Sequence, residues 1–151
     1  MTRILKISAI IMLLFLVLIQ FYPVEKPTLV ENNPDDLIIN TEIPASIKSM
    51  LKTSCYDCHS NETTYPWYSN VAPIKWLVYK DIIKGRKAAN FSNWTKLSDD
   101  NKMDLLYEMA EEVQEGDMPM EVYILNHSDA KLNTKQKNEF ANWAESLADE
   151  L

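Results

Sequence analysis

Apolar residues run almost unbroken from position 7 to position 22, interrupted only by Ser8 and Gln20, whereas from position 44 onward they recur three and four apart. The first pattern has the length of a membrane span. Nineteen residues over 4–22 approach the roughly 20 that cross a hydrocarbon core of about 30 Å. Arg3 and Lys6 lie on the amino side of the run, which keeps the amino terminus inside. The end of the run, 18–23, lacks the small-x-small pattern of a signal-peptidase site. Residues 1–22 therefore read as an uncleaved anchor, with a cleaved signal peptide as the alternative. Residues 23–42 turn to Pro, Glu, Asp and Asn, a composition that buries too little to order itself, and read as a flexible linker.

The second pattern predicts helices. Pro44 fits a first turn, after which Ile47, Met50, Leu51 and Ser54 fall on one face leading to Cys55. A second helix is expected over 71–84, with Ile74, Leu77, Val78, Asp81 and Ile82 on one side and Gly85 as a left-handed stop. Ser98 caps a third, whose apolar face is Met103, Leu106, Met109, Ala110 and Val113 and whose end is Gly116. A short helix over 121–126 follows, and Thr134 caps the last, with Phe140, Trp143, Ala144 and Leu147 as its buried stripe. No segment reads as a strand. The fold class is all-α, a small helical domain over 43–151 behind a transmembrane helix.

Composition agrees, since two glycines among 151 residues leave little material for a turn-rich β fold. A formal charge of -7 with no dense run of Lys or Arg argues against a nucleic-acid partner. The same acidity suits a basic protein partner met through complementary potentials.

The chemistry is concentrated in Cys55-Tyr56-Asp57-Cys58-His59, a C-x-x-C-H motif of the kind that attaches c-type haem. Two thiols at this spacing can reach two vinyl groups on one porphyrin edge, and the adjacent imidazole then lies under the ring as an axial iron ligand. A zinc site would have to be made from Cys55, Cys58, His59 and His127, two of them adjacent in sequence and awkward on one tetrahedron. A plain disulfide leaves His59 without a role. For the sixth iron position Met118 is the first candidate, because it lies in the loop Gly116-Asp117-Met118-Pro119 and not at helical spacing. Met120 and His127 are the alternatives. Tyr65, Trp67, Tyr68, Trp76, Phe91 and Trp94 are candidate walls of a haem pocket, and Arg86 or Lys87 a candidate propionate partner.

Beyond the C-x-x-C-H, further motifs carry a resemblance. They are Thr-Tyr-Pro-Trp-Tyr-Ser at 64–69, Ala-Pro-Ile-Lys-Trp-Leu at 72–77, Asn-Phe-Ser-Asn-Trp at 90–94 and Gly-Asp-Met-Pro at 116–119. Tyr123, His127, Ala130, Leu132 and Trp143-Ala144 complete the set. With these the chain, from about Ile47 onward, resembles the haem-binding domain family of bacterial envelope proteins. The resemblance implies covalent haem, a cytochrome c-like helical fold, and Cys55, Cys58 and His59 as attachment and ligand positions. Ser128 departs from the pattern, which has proline after the histidine.

Together these readings describe a monohaem c-type cytochrome domain, single-pass in the bacterial inner membrane with its haem domain facing the periplasm. It would carry one covalent haem c and pass electrons to protein partners. No nucleophile elbow or paired buried carboxylates mark an enzyme. The alternatives are a haem-based sensor or ligand-binding domain, and a small peroxidase-like haem enzyme.

Overall fold

A computed structural model describes residues 2–151, and among them the secondary structure is helical throughout, with no strand. The apolar amino-terminal run forms α1 (Thr2–Leu18), continued by a 3-10 turn, Ile19–Phe21. The stretch Arg3–Phe21 is long and apolar enough to cross a membrane, and none of it is buried by the rest of the chain.

Residues 23–42 depart from the expected linker. Asp36 caps α2 (Leu37–Asn40) by accepting from the Ile38 N–H, and Leu37 is fully buried in the core. Asn33 and Asp36 are buried too. Asn33 Nδ2 donates to the Ser92 carbonyl at 2.7 Å, and Asp36 accepts from the Tyr56 hydroxyl at 2.6 Å and the Ser92 hydroxyl at 3.2 Å. A polar segment is held here because its side chains satisfy buried donors and acceptors of the domain, a signal that average composition does not carry.

The core is built by α3 (Ala45–Ser54), α6 (Asp99–Glu115) and α8 (Thr134–Asp149). The most extensive helix contact is between α6 and α8, and α3 packs on α8. The predicted faces of these three helices point inward as read, with Leu105, Ala141 and Ala148 added. Ser98 does cap α6, accepting from the Asn101 N–H, and Gly116 ends it at φ 93°, where a Cβ would be strained. The last helix is capped one residue earlier than expected, by Asn133. Its side chain and that of Gln136 each accept from the other's backbone N–H.

The helix after the cysteine motif is the least well anticipated. It runs as α5 (Ile74–Ala88), and Tyr79 and Ile82 are its buried residues, whereas Ile74 and Leu77 are exposed. Gly85 lies within it and does not stop it. A Cβ at Gly85 would stand 2.7 Å from the Cys58 carbonyl oxygen. Glycine here permits helix contact, and α5 consequently rests directly on α4 (Tyr56–His59), the turn that carries the motif. A four-residue α7 (Glu121–Ile124) completes the chain between Met118 and α8.

Candidate functional site

A half-open cleft of about 180 Å³ separates the motif from α6. Cys55, His59, Ala88, Ala89 and Phe91 line one wall. Leu105, Glu108, Met109, Glu112, Val113 and Met118 line the other, with Ser54 and Phe140 completing it. The α6 residues stand three and four apart, so they form one continuous stripe along the helix. The lining is almost wholly apolar, with Glu108 and Glu112 as its charged members.

His59 is fixed before any ligand arrives. Its Nδ1 lies 3.2 Å from the Ala89 carbonyl and its ring stacks on Phe91 at 5.7 Å between centroids. A proton on Nδ1 for that carbonyl leaves Nε2 as the free lone pair, the arrangement that orients a metal-binding imidazole. Burial lowers its pKa, which favours the neutral, ligating form.

The two cysteines are free thiols. Burial, then the proximity of Cys58, pushes the Cys55 thiol up to about 12. Burial, with Asp57 and Asp81 nearby, pushes Cys58 up to about 11. Raised values keep both groups in the thiol form, which is the poor nucleophile of a dithiol pair. Among the described residues no group of three or more His, Cys, Asp or Glu side chains is disposed to hold a metal ion. Cys58 stands beside the cleft, pressed against Gly85, and does not line it.

Of the three candidates for the sixth position, only Met118 lines the cleft. Its place follows from the helix end: the N–H groups of Gly116, Asp117 and Met118 all donate to the Glu112 carbonyl at 3.1 Å, folding the loop back against α6. Met120 is outside the lining. His127 stacks on Tyr123 at 4.1 Å with its Nδ1 at 3.0 Å from the Tyr123 carbonyl, away from the cleft. Met109, placed by its spacing on the apolar face of α6, presents a second thioether in the lining. Spacing placed it on the inward face but could not show that this part of the face borders a cavity.

Most of the expected walls lie elsewhere. Phe91 lines the cleft, but Tyr65, Trp67, Tyr68, Trp76 and Trp94 do not. Arg86 donates to the Ser60 and Thr28 carbonyls, each at 2.8 Å, and to the Thr63 hydroxyl at 3.0 Å, fastening residues 28 and 60–63 to α5. Lys87 is exposed and also outside the lining. Tyr123, in contrast, has a clear partner: its hydroxyl donates to Asp57 inside the motif at 2.8 Å, tying α7 to α4.

The fold and the site define a small helical domain with an apolar cleft between an imidazole-bearing turn and a thioether-bearing wall. A family model described as a haem-binding domain matches residues 14–146, and the chain belongs to that family. Comparison with curated proteins and with solved structures gives no match. The residues present fit haem: neutral nitrogen and sulfur donors, an apolar lining, and carboxylates confined to one helix.

Proposed function

We propose that the chain is a membrane-anchored monohaem c-type cytochrome that carries electrons on the outer face of a bacterial inner membrane. The observation that carries this reading is the convergence of Cys55, His59 and Met118 on one apolar cleft, with His59 Nδ1 already committed to Ala89. The Cys55 and Cys58 thiols would add across two vinyl groups, each S–H hydrogen passing to the neighbouring carbon, so that no oxidant is needed. His59 would offer Nε2 to the iron and Met118 its thioether from the opposite wall. Bound haem supplies a one-electron couple, and a methionine ligand raises its potential. Leu105, Val113, Phe91 and Phe140 would give the bound haem apolar surroundings, and α1 would hold the domain at the bilayer.

A reduced pyridine haemochrome spectrum tests this on the full chain, made alongside cytochrome c maturation machinery and compared with a Cys55→Ala, Cys58→Ala variant. A c-type band that survives acid-acetone extraction in the parent and is absent from the variant is expected. A haem that extracts freely from the parent overturns covalent attachment. Carbon monoxide added to the reduced protein then tests the carrier role, since a firmly six-coordinate iron responds little.

A further inference from the structure

The end of the anchor is not free of the domain. Gln20 and Ala72 bond reciprocally, the Ala72 N–H donating to Gln20 Oε1 at 2.8 Å and Gln20 Nε2 to the Ala72 carbonyl at 3.1 Å. Lys75 Nζ donates to the Gln20 carbonyl at 2.9 Å and Tyr22 meets the Trp76 ring edge-on at 5.8 Å. These contacts pin the start of α5 to the point where the membrane span, Arg3–Phe21, ends.

Around that point large apolar side chains are exposed: Phe21 and Tyr22 on the anchor, Trp67 and Val71 before α5, Ile74 and Leu77 in its first turn. Trp67 is 80 % exposed. A soluble domain seldom leaves such a group uncovered, and aromatic residues beside a span belong at the level of the lipid headgroups.

We infer that the domain lies directly on the bilayer in one fixed pose, with residues 67–77 immersed in the interfacial layer and Gln20 as the clasp that sets the pose. The occupant of this surface is lipid, because Ala72, Lys75 and Trp76, interleaved with these exposed residues, are held against the exit of the membrane span. The haem domain then does not swing on a tether, and its cleft keeps a constant orientation to the membrane plane. This rests on the reading of α1 as a membrane span.

The test is photo-crosslinking of the full chain in phosphatidylethanolamine and phosphatidylglycerol vesicles, with benzoylphenylalanine in place of Trp67, Leu77 or, as control, Tyr107 on α6. Flotation with the vesicles is read first. The expected result is a mass gain of one phospholipid at positions 67 and 77, absent at 107 and reduced when Gln20→Ala is added. A chain that fails to float overturns the anchor and the docking together. A chain that floats but gives no more lipid adduct at 67 and 77 than at 107 overturns the docking alone, and an adduct undiminished by Gln20→Ala overturns the clasp.

Discussion

Met118, Met120 and His127 are close in sequence and chemically able to ligate iron, yet the fold separates them. Only Met118 is turned into the cleft, by the three N–H bonds to Glu112. Replacing Met118 with Ala is expected to change the visible spectrum of the haem-loaded protein and lower its midpoint potential, whereas Met120→Ala and His127→Ala leave both unchanged. Spectroelectrochemistry of the three variants checks this, and a shifted spectrum in His127→Ala alone would reverse the assignment. The cysteine motif stood out by its spacing, and the fold brings its Cys55 and His59 to the cleft. Met109 did not stand out, since a residue on a buried face looks the same in sequence whether it meets another side chain or a cleft.

Tyr56, also inside the motif, serves the fold. Its hydroxyl donates to Asp36, and burial first, then that hydrogen bond, holds its pKa well above the usual value near 10. The native state keeps a proton that the unfolded chain releases, so this contribution is complete below about pH 10 and is lost as pH rises beyond it. Tyr56→Phe is expected to cost about 1–3 kcal/mol at neutral pH, leaving Asp36 short of a donor. It should also flatten the alkaline limb of stability against pH, measured by urea denaturation.

At the scale of elements, the cleft exists because α4 leans on α5 and not on α6. Gly85 makes the first contact possible, and Gly85→Ala drives a Cβ into the Cys58 carbonyl. Separating two helices by that much is expected to cost about 1–3 kcal/mol, as overpacking does. It should lower the yield of attached haem as well, which a comparison with Ala88→Gly, at a lining position free of that clash, would set apart from stability alone. Helix existence was readable from periodicity for α3, α6 and α8, where one buried face repeats over several turns. It failed for the inward face of α5, whose exposed Ile74 and Leu77 mimic a core stripe. A glycine near a helix end looks alike in sequence whether it stops the helix or admits a neighbour.

For the molecule as a whole, the decisive departure from the sequence reading is where the folded part begins. Average polarity marks 23–42 as a linker, but folding depends on particular residues, and Leu37, Asp36 and Asn33 each complete something on the domain: an apolar contact, a Tyr56 bond, a Ser92 bond. Upstream of them the Val30 N–H donates to the Asn61 carbonyl at 2.9 Å, and Tyr65 and Arg86 donate to the carbonyls of Pro27 and Thr28. A chain started at residue 23 keeps all of these contacts, and one started at 43 loses them. The longer form is therefore expected to unfold at clearly higher urea. The single change Leu37→Ala, within the longer form, should cost about 2–5 kcal/mol, the usual range for a fully buried leucine. Equal midpoints for the two lengths would mean that 23–42 is only draped over the domain. A large difference would make this segment part of the fold, leaving no free linker between α1 and the cleft.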